Sequence, residues 1–281
     1  MELHLIYAED FKLDGGACFG VVPKSIWSNL CPVDENNMVN IALRNLLIVD
    51  GARVILVDTG IGHKQSEKFL SHYHLFGDNS IEKSFSKAGF KFSDVTDVIF
   101  THLHFDHCGG AVAYNDDKSS YEAVFPNARH WVGQDQWDNA IKSNPREKAS
   151  YLNENYVPLY EKGLMHFVKE EQQFSPGVFL KIVNGHTPGQ LVPIISYKDK
   201  TLVYGADFIP SAANIPLAFV PSFDTQPLLS IEEKKTFLEE AVSKEYYIIF
   251  QHDFYNECCT VEKNEKGNFK PKEFYKLNEI L

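Results

Sequence analysis

The residues best suited to chemistry lie in one short run of the chain, THLHFDHCGG at positions 101–110. Within it, His102, His104, Asp106 and His107 follow the apolar run 97–100, which we interpret as a buried strand. Imidazole and carboxylate groups that converge from a loop at a strand end are typical of metal sites. A surface loop rich in histidine is the alternative, but chance would rarely group three of the 11 histidines around an aspartate. The run therefore predicts a metal site.

Three later segments share one plan, in which a β-rich run ends on a potential metal ligand. Residues 178–183 precede the GHTPG turn that contains His186, residues 201–206 precede Asp207, and residues 246–250 precede His252. The candidate ligands are therefore His102, His104, Asp106, His107, His186, Asp207 and His252. Five histidines and two aspartates suit two metal ions better than one.

These motifs resemble those of the metallo-β-lactamase fold superfamily. The H-x-H-x-D-H run, the G-H-T-P-G turn, the single aspartate after a strand and the late histidine stand in the family's order, and Asp58-Thr59-Gly60 resembles its upstream aspartate turn. The resemblance implies an α/β fold, a four-layer αββα sandwich of two mixed β-sheets flanked by helices. It covers nearly the whole chain, so we interpret residues 1–281 as a single hydrolase domain.

The resemblance also implies a role for each candidate. His102, His104 and His186 would hold the first metal, Asp106, His107 and His252 the second, and Asp207 would bridge both. The metals would share a hydroxide that attacks a carbonyl or phosphoryl centre. Asp106 and Asp207 are the predicted catalytic carboxylates, and Asp106 could also accept a proton from the nucleophile. Asp58 is predicted to orient a ligand imidazole through a hydrogen bond, with a simple turn residue as the alternative.

The donor set favours two divalent metal ions, with zinc as first choice and iron, manganese or cobalt as alternatives, because no thiolate ligand narrows the selection. Cys108 follows a ligand, but we interpret it as a small buried packing residue. His104 argues against the oxygen-reducing flavodiiron branch, which carries glutamate there. Acyl-homoserine lactonases have a tyrosine three residues after the bridging aspartate, and Pro210 at this position weakens a lactonase assignment without excluding it. Gln190 replaces a histidine that is not normally a ligand.

Residues 208–223, directly after Asp207, are apolar, punctuated by prolines and without periodicity. We expect this segment to line the substrate pocket, with Phe208, Phe219 and Phe223 as candidate contacts. A buried connection on the core is the alternative. Residues 16–24 resemble a segment of methyl-parathion-hydrolase-like and lactonase-like members. The expected reaction is therefore hydrolysis of a small, mostly apolar ester, lactone or organophosphate. Alternatives are a thioester hydrolase like glyoxalase II, a phosphodiesterase, or a non-catalytic metal-binding sensor domain.

Charge and composition limit the partners. A formal net charge of −11 disfavours non-specific binding to nucleic acid or anionic membrane. The first residues lack the pattern of a secretory signal, and no apolar stretch reaches the length of a membrane span. Five cysteines without paired spacing indicate a reducing compartment. We expect a cytoplasmic enzyme with a small-molecule substrate, no nucleic acid or membrane partner, and a homodimer as one compatible assembly.

Alternating strand and helix patterns must position the ligands. Strands are predicted at 3–7, 17–22, 41–49, 54–58, 97–100, 178–183, 191–197, 201–206 and 246–250, and helices at 79–89, 134–142, 146–161 and 230–243. The turn signal Asp50-Gly51-Ala52 predicts a hairpin between two of these strands. Ser80 is expected to begin the helix at 79–89 and Gly89 to end it.

Overall fold

The computed structural model describes all 281 residues, which form two compact units. Unit 1 comprises Met1–Asp10, Leu43–Glu171 and Gly189–Leu191, and unit 2 comprises Phe11–Ala42, Gln172–Pro188 and Val192–Leu281. That residues 1–281 act as a single domain stays a prediction. No helix combines the length and the hydrophobicity that crossing a membrane requires.

The chain forms fifteen strands and nine α-helices. The strands are β1 Glu2–Asp14, β2 Met38–Asp50, β3 Arg53–Val57, β4 Asp97–Ile99, β5 Val112–Tyr114, β6 Tyr121–Ala123, β7 Arg129–Gly133, β8 Met165–Val168, β9 Gln172–Ser175, β10 Val178–Val183, β11 Gln190–Tyr197, β12 Lys200–Tyr204, β13 Tyr247–Ile249, β14 Cys258–Lys263 and β15 Phe269–Tyr275. The helices are α1 Gly15–Phe19, α2 Lys24–Trp27, α3 Glu67–Leu70, α4 Ile81–Ala88, α5 Phe105–Cys108, α6 Gln134–Ile141, α7 Val157–Glu161, α8 Pro227–Ser243 and α9 Leu277–Ile280.

The first sheet has the strand order β1-β2-β3-β4-β7-β8. Strands β2 and β3 form the predicted antiparallel hairpin, whereas β3, β4, β7 and β8 run parallel. The carboxyl ends of parallel strands meet at one edge of a sheet, where α/β proteins place their ligands. Asp58 follows β3 and His102 follows β4, so the sheet brings both to this edge.

The second sheet has the strand order β15-β14-β13-β12-β11-β10-β9. Strands β12 and β13 are parallel, and the other registered pairs are antiparallel. Helix α8 contributes Phe237 and Leu238 to a buried cluster that includes Val203 of β12 and Ile248 of β13. The predicted α/β fold with two mixed sheets and helices is thus confirmed.

Two predicted elements are wrong. Residues 17–22 do not form a strand, because helix α1 begins after Asp14, whose side chain accepts a hydrogen bond from the Ala17 amide at 2.9 Å. The buried Phe19 ring of α1 stacks on Trp27 at 5.0 Å. The predicted helix 146–161 is helical only in α7 and in a preceding 3-10 turn, Asn153–Asn155. The helix predicted at 79–89 is confirmed as α4, with the Ser80 cap and with Gly89 at φ 83°.

Candidate metal centre

In unit 1, the HxHxDH run lies just beyond β4, and α5 begins directly after His104. His102 and His107 are fully buried, whereas the Asp106 side chain is 13% exposed. Nε2 of His102 lies 3.0 Å from Nδ1 of His104, and Nε2 of His107 lies 3.5 Å from Oδ2 of Asp106. Ring nitrogens and carboxylate oxygens that face one another in this way are donors suited to a divalent metal ion.

Asp58 contacts the far side of one candidate ligand. Its Oδ2 lies 3.0 Å from Nδ1 of His107 and accepts a hydrogen bond from the Thr101 hydroxyl at 2.8 Å. Its Oδ1 accepts the Thr101 amide at 2.8 Å. Asp58 is fully buried and has a left-handed φ of 59°, a costly conformation that surrounding contacts must hold. Because Nδ1 of His107 faces Asp58, Nε2 remains directed toward Asp106.

Two glycines let the Asp58 turn approach the ligand run closely. A Cβ atom at Gly110 would lie 2.1 Å from the carbonyl oxygen of Thr59, and one at Gly109 would lie 2.0 Å from that of Ile61. The Thr59 amide donates to the carbonyl of His107 at 2.7 Å. The Gly-Gly pair after the motif is therefore required by packing, because any side chain would separate the two loops.

In unit 2, Asp207 faces two histidines at once. Its Oδ2 lies 3.2 Å from Nε2 of His186, and its Oδ1 lies 2.8 Å from Nε2 of His252. The preceding Ala206 has φ 41°, a left-handed conformation that is unusual for a residue with a Cβ. Asp207 follows β12 and His252 follows β13, so the parallel pairing of these strands accounts for the meeting of their side chains.

The histidines of unit 2 are also held on their far sides. Nδ1 of His186 lies 2.9 Å from Oδ1 of Asp224, which accepts the Ser230 hydroxyl on its other oxygen at 2.5 Å. Nδ1 of His252 lies 3.0 Å from the carbonyl oxygen of Ala42. Sequence reasoning missed Asp224, which no motif marks. In both histidines Nε2 is left to face Asp207, as expected for imidazoles oriented to bind metal.

The three candidate pocket phenylalanines occupy different environments in unit 2. Phe208 is buried in the core cluster, with its ring 5.3 Å from that of Phe237. Phe219 is partly exposed, and Phe223 is 39% exposed. The ammonium of buried Lys234 holds this segment by donating to the carbonyls of residues 214, 216 and 219 at 2.9, 3.1 and 3.2 Å. Burial lowers the pKa of Lys234 to about 7. Substrate contact by the three rings stays a prediction.

Comparison with known proteins assigns the family. The model of the metallo-beta-lactamase superfamily matches residues 45–252, and the chain belongs to this superfamily. An N-acyl homoserine lactonase of Bacillus cereus is 26% identical over 251 residues, 83% of this chain and 88% of the relative. A probable metal-dependent hydrolase from Staphylococcus aureus has a similar structure, with 27% identity, 98% of both chains covered and a TM-score of 0.87.

A dizinc quorum-quenching lactonase, solved with a product bound, shares the fold. It is 21% identical, has a TM-score of 0.76 and covers 98% of this chain and 95% of its own. The predicted resemblance to lactonase-like members is confirmed by these similarities. Together with the clustered histidines and aspartates, the family makes this chain a metal-dependent hydrolase with donors for divalent metal.

Proposed function

We propose that the seven candidate ligands form one dinuclear metal centre and that the chain hydrolyses small, mostly apolar lactones or esters. His102, His104 and His186 would hold the first ion, Asp106, His107 and His252 would hold the second, and Asp207 would be shared between them. In support, unit 1 brings the donors of the HxHxDH run together, and unit 2 brings His186 and His252 to the two oxygens of Asp207. Zinc is the preferred metal, since the donors are nitrogen and oxygen and one structural neighbour is a dizinc lactonase.

The observation that carries this proposal is the orientation of Asp207. Its two oxygens face two different imidazoles, which is the arrangement required of a carboxylate shared between two ions. Bound divalent ions would supply an acidified water and polarise the substrate's carbonyl oxygen. Because Asp207 faces both His186 and His252, it would set the spacing of the two ions, while Asp106 offers a carboxylate that could accept a proton.

An aromatic cluster supports an apolar substrate. In unit 1 the ring of Phe105, which precedes Asp106, lies 5.2 Å from Phe69 and 4.6 Å from Tyr73. Burial, with a smaller contribution from Asp106, raises the pKa of Tyr73 from 10 to about 12. A neutral acyl chain would gain roughly 25 cal/mol per Å² of apolar surface that it buries against such rings. The lactonase names of the relatives favour a cyclic ester among the candidate substrates.

A substrate panel tests this proposal. We expect zinc-loaded protein to show a higher kcat/KM for an N-acyl homoserine lactone or a p-nitrophenyl ester than for a glutathione thioester or a nucleotide phosphodiester. Paraoxon tests the organophosphate alternative within the same panel. A glutathione thioester or a phosphodiester as best substrate would replace the lactone and ester assignment. No turnover of any member by metal-loaded protein would favour the non-catalytic sensor.

A further inference from the structure

A buried glutamate lies on the far side of His104. Glu147 is only 3% exposed, and its Oε1 lies 3.7 Å from Nε2 of His104. The opposite ring nitrogen, Nδ1, faces Nε2 of His102 at 3.0 Å. His104 therefore directs Nδ1 toward His102 and Nε2 toward the carboxylate of Glu147.

Neighbouring side chains fix Glu147 in this position. Its Oε2 accepts hydrogen bonds from Nδ2 of Asn139 at 3.2 Å and of Asn144 at 2.5 Å. Its Oε1 accepts the hydroxyl of Tyr151 at 3.1 Å. The Tyr151 ring also lies 4.8 Å from the His104 ring. A carboxylate that accepts this many donors has little freedom to turn away from the imidazole.

The same network holds the backbone on both sides of His104. Oε1 of Gln136, a fully buried residue, lies 3.1 Å from the Tyr151 hydroxyl and accepts the Leu103 amide at 3.2 Å. The Phe105 amide donates to the carbonyl of Ser150 at 2.9 Å. Residues near the start of the stretch predicted as one helix, 146–161, instead contact His104 and its backbone neighbours.

We propose that Glu147 is a positioning residue that selects the state of His104 able to bind metal. A carboxylate facing Nε2 favours the tautomer with its proton on that nitrogen, which leaves the Nδ1 lone pair for the metal. Tyr151 holds the Glu147 carboxylate in place, and Gln136 holds the backbone at Leu103. The inference rests on the proposed function, because it takes His104 to be a ligand.

The experiment measures tautomer and metal affinity separately. Long-range ¹H–¹⁵N spectra of ¹⁵N-histidine-labelled, chelator-stripped protein report the tautomer of His104. The His104 signals are identified because they disappear in the spectrum of His104→Gln. Competition with a chromophoric chelator gives zinc affinity. In wild type we expect His104 to be the Nε2-protonated tautomer. In Glu147→Ala we expect a mixed or inverted tautomer population and zinc binding about 10–100-fold weaker than in wild type. Glu147→Gln keeps the shape of the side chain but removes its charge. Its tautomer population and zinc affinity should lie between those of wild type and Glu147→Ala.

Tyrosine variants supply a matched control. Tyr151→Phe should weaken zinc binding, by less than Glu147→Ala does. Tyr156→Phe removes a hydroxyl that is bonded to Oδ1 of Asn153 at 2.9 Å and should leave both readouts unchanged. If wild type binds zinc and Glu147→Ala and Glu147→Gln keep its tautomer and affinity, Glu147 is only structural and this inference is wrong. If wild type binds no zinc, the proposed function fails and the inference fails with it.

Discussion

At the scale of single residues, the candidate histidines use both ring nitrogens. His107, His186 and His252 each have Nδ1 within 3.0 Å of an oxygen, while Nε2 faces another candidate ligand. The candidate ligands could be proposed from the sequence because each lies in a local motif that follows a strand. Asp224 was not predictable, because it lies 38 residues from His186 and only the fold brings them together.

Replacing Asp207 should affect activity far more than stability. Asp207→Ala removes the carboxylate that faces His186 and His252, so we expect kcat with zinc to fall by more than about 100-fold, beyond the usual effect of a residue that only orients a ligand. In metal-free protein, the free energy of unfolding should change by about 1 kcal/mol or less. Steady-state kinetics and urea unfolding provide the two numbers.

The control for this variant is Asp116→Ala, at an exposed position in unit 1. It should leave both measurements unchanged. A kcat for Asp207→Ala near that of wild type would show that Asp207 is an ordinary residue at a strand end.

His130, which lies outside the ligand pattern, should make the fold sensitive to acid. It is fully buried in β7, and burial lowers its pKa to about 4 from an ordinary 6.5. The unfolded chain therefore binds a proton before the folded protein does, and stability is lost as the pH falls from 6.5 toward 4. Between pH 7 and 5 this loss amounts to about 2 kcal/mol.

His130→Phe keeps an aromatic ring but removes the titrating group. Urea unfolding of chelator-stripped protein at pH 7 and pH 5 should show a smaller acid effect in this variant, with exposed His72→Phe as control. Equal acid effects in wild type and His130→Phe would contradict the prediction.

At the scale of elements, sequence patterns located eight of the fifteen strands and assigned the wrong structure to residues 17–22 and to much of 146–161. Helix α4 has the predicted Ser80 cap, and strand β10 and helices α6 and α8 lie within three residues of their predicted bounds. Residues 146–156 fall in the stretch for which the sequence predicts one helix. In the structure, Glu147 and Tyr151 instead contact His104, a tertiary interaction that overrides local preference.

Substituting Gly110 should loosen the contact between the ligand run and the Asp58 turn. A Cβ atom there would lie 2.1 Å from the Thr59 carbonyl, so one backbone must move. We expect Gly110→Ala to cost about 1–3 kcal/mol of unfolding free energy, as overpacking does, and to weaken zinc binding as well. Denaturant unfolding and chelator competition measure the two effects.

Gly16→Ala is the comparison, because its Cβ would meet a side-chain atom, Oδ1 of Asp14, at 3.0 Å rather than backbone at 2.1 Å. It should change neither quantity by a comparable amount. If Gly110→Ala were as stable as wild type and bound zinc as tightly, the close approach of Gly110 to Thr59 would be unimportant.

At the scale of the whole molecule, the family and fold followed from the order of motifs between His102 and His252. The superfamily model covers residues 45–252 and includes all seven candidate ligands. Substrate did not follow, because the scaffold hosts many chemistries and side chains beyond the motifs decide among them.

The most direct test of the central claim is the zinc stoichiometry of the site. Chelator-stripped wild type, titrated with zinc and analysed for bound metal and lactone or ester hydrolysis, should saturate at two ions per chain. Full activity should appear only with the second ion, and His252→Ala should reduce the saturating ratio to one. Full activity at one ion per chain, or an unchanged ratio of two in His252→Ala, would contradict the dinuclear centre.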